Sequence, residues 1–111
     1  MNLVSKKDMS ITSTEANSNV IAKKTVLISA QDQNIQATAK QGISLEAEHT
    51  IAETAGESIA LVCGKSRIVL KKDGTIEIIG KDILIKGTGT GQIDFDGELN
   101  QFGKKNINLN C

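Results

Sequence analysis

The 111 residues suffice for one compact domain, and 13 basic side chains balance 13 acidic ones, so the charge excess of a nucleic-acid or anionic-membrane binder is missing. Phe95 and Phe102 are the only aromatic residues and proline is absent; two rings are too few to stack on bases or to dominate a core. No apolar run approaches a membrane span and the start does not read as a signal peptide, so export is expected to use another route.

The dominant pattern is a repeat. Isoleucine recurs every eight positions at Ile35, Ile43, Ile51 and Ile59, a period that belongs to neither a helix nor an ordinary strand. Residues 1–24 are serine-rich and follow the repeat less closely, reading as a less regular lead-in. From 25 to 98 the repeat is sustained, and 99–111 reads as the far end of the same element.

A first column passes through Met1, Met9, Ser18, Val26, Ile35, Ile43, Ile51, Ile59, Ile68, Ile76, Ile83, Gly91, Leu99 and Ile107, broken at Ser18 and Gly91. A second, two residues later, passes through Leu3, Ile11, Val20, Ile28, Ala37, Leu45, Glu53, Leu61, Leu70, Ile78, Ile85, Ile93, Gln101 and Leu109, with Glu53 and Gln101 as its exceptions. A third, two further on, is mostly small, with Lys72 and Phe95 as misfits, and ends at Cys111. The step lengthens to nine before Ser18, Ile35 and Ile68 and shortens to seven before Ile83.

Columns two residues apart share one face of an extended strand. Each octad therefore predicts a strand of about five residues and a polar corner of three, with Gly42, Gly56, Gly64 and Asp73-Gly74 at the corners. Such corners predict bends rather than the reversals of a hairpin meander, and bends in one sense wind a β-solenoid.

Three octads suit one coil of a single-chain helix or one turn of a chain intertwined with two copies of itself. The second predicts an all-β, triple-stranded β-helix, a three-sided prism whose strand edges are covered by the other two chains. Burying an Ile or Leu stabilises by roughly 1.5–3 kcal/mol, against about 1–2 kcal/mol to order each residue. Two large apolar residues per octad are thus thin support for a monomer. At about 4.8 Å per octad the shaft would be on the order of 65 Å long.

The stretch SIALVCGKSRIVLKKDGTIEIIGKDILIKG, residues 58–87, resembles the C-terminal β-helix of VgrG, the valine-glycine repeat spike family of type VI secretion, itself similar to contractile phage tail needles. The octads of 20–57 are typical of the same family. The resemblance implies a bacterial homotrimer, assembled in the cytoplasm on a secretion tube. Sheath contraction would then drive it through a target envelope into the extracellular space or a target cell, as a transient puncture rather than a stable insertion. It also implies a PAAR-type tip protein seated at the C-terminal end, carried effectors, and a hub that has no counterpart in these residues. On that reading the chain is a piece of a longer protein.

The expected core is Val26, Ile28, Ile35, Ile43, Leu45, Ile51, Ile59, Leu61, Ile68, Leu70, Ile76, Ile78, Ile83, Ile85 and Ile93. Leu99, Phe102, Ile107 and Leu109 are the candidates for seating a tip protein. No catalytic, cofactor or metal residues are expected. His49 falls in a corner, and the phage-type His-x-His iron tip has no match. Glu53 either faces the axis, where three carboxylates would need a cation, water or shared protons, or turns outward through a local slip. Lys72 reads as a wet corner, Asp94 and Asp96 as exposed alternation around Phe95, and GTGTG at 87–91 as a bulge or corner without the features of a phosphate loop. Cys63 reads as a small buried thiol and Cys111 as an unpaired terminal one. Two rivals are a trimeric surface adhesin stalk, which would add coiled-coil heptads, and a single-chain β-helix acyltransferase, whose repeat is six and whose site needs a histidine in a cleft.

Overall fold

Glycine at Gly64 and Gly74 decides where this chain turns back on itself. Both adopt positive φ, +55° and +94°, and no other described residue does so. In a computed structural model, which describes residues 1–109, they close the two turns of a three-stranded antiparallel sheet. Its strands are β1 (Ser58–Cys63), β2 (Ser66–Lys71) and β3 (Ile76–Ile79), in the order β1-β2-β3. No helix is present among the described residues. Cys111 lies outside them.

The first turn has two residues, Gly64 and Lys65, between the paired Cys63 and Ser66. Positive φ at the first loop residue and not the second is the pattern of a type II′ turn. The second turn follows a different rule. The Gly74 amide donates to the Lys71 carbonyl (3.0 Å), and the Lys71 amide to the Thr75 carbonyl (3.0 Å). Gly74, left-handed, forms the bulge of a three-residue hairpin loop. The Thr75 amide also donates to Asp73 Oδ1 at 2.9 Å, so the aspartate braces the turn.

These reversals correct the expectation of bends throughout: between 58 and 79 the chain forms a short meander. The physical reason is one of length. A six-residue strand and a two-residue turn add up to one octad, so eight-residue spacing serves a reversal as well as a bend.

Elsewhere the chain bends without reversing. By contacts it divides into two units, Met1–His49 and Thr50–Cys111. In the first, bends fall at 6–7, 14–16, 23–24, 31–33, 40–41 and 48–49, and straight runs of six residues separate them. In the second they fall at 56–57, 81–82, 88–89, 96–97 and 104–105. The elbows are thus two residues, lengthened to three at 14–16 and 31–33 where the sequence takes nine-residue steps. The run 83–87 has five residues, and the seven-residue step before Ile83 falls on β3, Gly80 and the 81–82 bend.

No described residue is buried. The chain exposes 12811 Å², whereas a folded monomer of 11.8 kDa would expose about 5,900 Å². Outside residues 57–79, no described backbone group bonds to another backbone group. Backbone amides and carbonyls in a finished fold are almost all paired.

One bend is sterically tight. A Cβ added at Gly103 would meet the Asn106 carbonyl oxygen at 2.8 Å and Ile107 Cγ1 at 3.0 Å. Gly103→Ala is therefore expected to open the 104–105 bend and move the amide resonances of 103–107. Gly80→Ala, where the nearest atom lies at 3.6 Å, is expected to leave the resonances around its own bend in place. Displacements of equal size around the two glycines would show that the tight approach does not shape this end.

Candidate functional site: an apolar sheet face and an unbonded backbone

The strand register divides the sheet into two chemically distinct faces. Ile59 lies opposite Leu70, Leu61 opposite Ile68, Ile68 opposite Ile78, and Leu70 opposite Ile76. These six side chains form one aliphatic face, and each is at least partly exposed. Cys63 shares that face beside Ser66; its thiol is free and exposed, not buried. Burial expected from the sequence is not supplied by this chain alone.

The other face is charged. Glu77 lies opposite Val69 on β2, so Arg67 and Lys71 are its diagonal neighbours, within reach of long side chains. Lys71 Nζ donates to Glu77 Oε1 at 2.8 Å, and Arg67 Nη2 stands 4.0 Å from Glu77 Oε2. The Lys71 hydrogen bond and then its charge hold the Glu77 carboxyl below its ordinary value, with a smaller contribution from Arg67. Asp73 is lowered chiefly by the Thr75 amide that it accepts.

Both acids titrate lower in the folded hairpin than in an open chain. Their contribution is therefore complete above the ordinary values, 4.5 for Glu77 and 3.8 for Asp73, and is lost as pH falls through the depressed ones. Glu77→Gln is expected to flatten the acid limb of the hairpin's stability, read by NMR of the β2 and β3 amides between neutral pH and pH 2. An unchanged acid limb would mean the ion pairs contribute nothing, the usual fate of exposed pairs.

The remaining core candidates each occupy a straight run: Val26 and Ile28 in 25–30, Ile35 in 34–39, Ile43 and Leu45 in 42–47, Ile51 in 50–55, Ile83 and Ile85 in 83–87, and Ile93 in 90–95. From Met9 on, and outside the sheet, apolar first-column side chains are 49–59% exposed. Apolar residues off the columns, Val4, Ile21, Leu27, Leu84 and Phe102, are 85–93% exposed. The first column is the side of the chain that its own neighbours partly cover.

Of the four tip candidates, Leu99, Ile107 and Leu109 occupy column positions, whereas Phe102 stands off them and is almost fully exposed. Glu53 falls in a column position of 50–55 and lines an open concavity with Ile59, Leu70 and Lys72. His49 stands in the 48–49 bend, Lys72 in the second sheet turn and Gly89 in the 88–89 bend. Asp94 ends a straight run with Phe95 whereas Asp96 sits in the following bend, so the two do not flank Phe95 along one strand. Among the described residues, no three His, Cys, Asp or Glu could hold a metal and no helix is long and apolar enough to cross a membrane. The Arg67–Glu77–Lys71 cluster went unread in the sequence; its signal was the alternation of charge with apolar residues along SRIVLK and IEII.

The site is thus an aliphatic sheet face flanked by unbonded runs with elbows about every eight residues. Comparison with known proteins finds one partial likeness. A stretch of 45 residues, 40% of this chain, is 47% identical to the type VI secretion system spike protein VgrG1a of Pseudomonas aeruginosa. The chain is similar to a secretion spike. The matched stretch spans 7% of the length of VgrG1a, and no family model matches the chain.

Proposed function

We propose that this chain is the shaft segment of a VgrG-like spike, a triple-stranded β-helix formed by three copies, with a structural rather than catalytic role. One observation carries the reading: straight runs, bent every eight residues, whose backbone has nothing of its own to bond. Three such chains wound together would supply the missing ladders and bury the aliphatic columns against one another. The area the single chain leaves uncovered is of the scale of obligate interfaces, which run from about 2,000 to beyond 5,000 Å².

In this reading the spike rides a secretion tube through a target envelope, and the end at 99–109 seats a PAAR-type tip protein or an effector. No cofactor is required. Similarity to VgrG1a favours this over an adhesin stalk, and a solvated His49 in a bend offers an acyltransferase no cleft.

Hydrogen exchange tests the shaft. Amides of 25–55 and 83–107 are expected to exchange slowly in the native sample, although no partner lies within the chain. Exchange of those amides at open-chain rates, with protection confined to 57–79, would leave the proposal without support. For the end, Phe102→Asp, at the tip candidate that stands off the columns and is almost fully exposed, is expected to abolish binding of a PAAR-type protein to the full-length spike while leaving the shaft assembled.

A further inference from the structure

We infer that the hairpin at 58–79 is the register key of the assembly, the element that prevents identical chains from combining out of step. The inference rests on the three-chain reading and goes beyond it. Eight-residue repeats create an alignment problem. Sliding one chain by an octad replaces Ile35 with Ile43, Ile43 with Ile51 and Ile51 with Ile59, so the aliphatic columns meet nearly the same partners. Register is weakly specified wherever such a shift leaves the apolar pattern intact, and near-degenerate arrangements give mixed products unless something excludes them.

The hairpin is the feature that no octad shift reproduces. It is the one described stretch whose backbone bonds to itself. Its two turns depend on positive φ at Gly64 and Gly74, and the Arg67–Glu77–Lys71 cluster ties β2 to β3. A chain displaced by one octad would set this folded, two-faced element against a straight run of its neighbours. Aliphatic face would then meet bare backbone, and neither ladder would close. Because its contacts are local, the hairpin also forms before any association, in microseconds against the slower encounter of three chains. Each chain thus carries a landmark before it meets the others.

The test makes the hairpin compete with the chain ends. In a Cys63→Ser, Cys111→Ser background, the full chain is refolded together with a version lacking 36–43, one octad whose removal keeps the columns in phase. A nitroxide is attached through Lys65→Cys in the hairpin, or Glu15→Cys upstream, and interspin distances are measured. If the hairpin sets register, Lys65 labels give the single distance seen in the undeleted assembly, and Glu15 labels split by an axial offset of about one strand spacing, ~4.8 Å. Split Lys65 distances with a single Glu15 distance would overturn the proposal. The same mixture carrying Gly64→Val and Gly74→Val in both chains is then expected to split at Lys65; a distance that stays single there would assign register to other residues and also overturn it. Absence of any interspin distance in the undeleted chain is a different failure, that of the three-chain reading itself.

Discussion

Aspartate in place of Ile68 is expected to leave the chain a monomer, sedimenting near 11.8 kDa where the parent sediments at roughly three times that mass. Ile68 sits on the central strand, with Leu61 and Ile78 across from it on either side. In the single chain it is 41% exposed, so a carboxylate there is tolerated before association. Assembly would bring three copies into an apolar interior, where an unpaired charge costs several kcal/mol even after relaxation. Val62→Asp is the matched control. Val62 lies on the opposite face, directly across from Arg67, and a charge there meets a cation at the surface. A trimeric Ile68→Asp chain, or equal disruption by both changes, would show that the aliphatic face is not the face that assembles.

The second large effect concerns rate rather than equilibrium. Without heating, the parent protein is expected to run in denaturing detergent at the three-chain mass, and after boiling as a single chain. In the three-chain reading, ladders shared between chains could not be released one strand at a time, since each chain would be bonded to both others, so escape would require breaking many contacts together. Stability of that kind is kinetic, set by the unfolding barrier. Ready monomerisation on the unheated gel would remove the mechanical argument for a rigid shaft, whatever the mass in native buffer.

Much of the local structure was legible in the sequence. Elbow positions follow from polar residues spaced by eight, and the nine-residue steps before Ser18 and Ile35 correspond to three-residue bends at 14–16 and 31–33. The step before Ile68 looked the same and was not. There the elbow keeps two residues, Gly64 and Lys65, and the chain reverses. A two-residue reversal pairs the last residue of one strand with the first of the next, so the inward set changes from odd to even positions and Ile68 arrives one residue late. A glycine followed by an arbitrary residue is the II′ signal. Gly64-Lys65 lacks the Asn-Gly signature, and octads divided into strands of about five residues and corners of three leave no room for six-residue strands joined by a two-residue turn.

The candidate site was legible as a pattern and illegible as a partnership. Alternation placed Ile59, Leu61, Ile68, Leu70, Ile76 and Ile78 in shared columns, and antiparallel pairing sets them on one face. Periodicity says which side chains seek cover and not what covers them. Cys63 illustrates the gap: small and apolar in its surroundings, it reads as buried, yet within one chain nothing lies over it. The ion cluster around Glu77 depends on cross-strand diagonals, which exist only once the register is known.

A backbone with nothing to bond outside 57–79 among the described residues bears on how the cell makes such a protein. In the three-chain reading, a freshly synthesised copy is open along most of its length and offers proteases accessible cleavage sites. Meeting two siblings would close them, and mass action would make that meeting depend steeply on local abundance. Orphaned copies would then be cleared by ordinary turnover, while copies translated close together would survive.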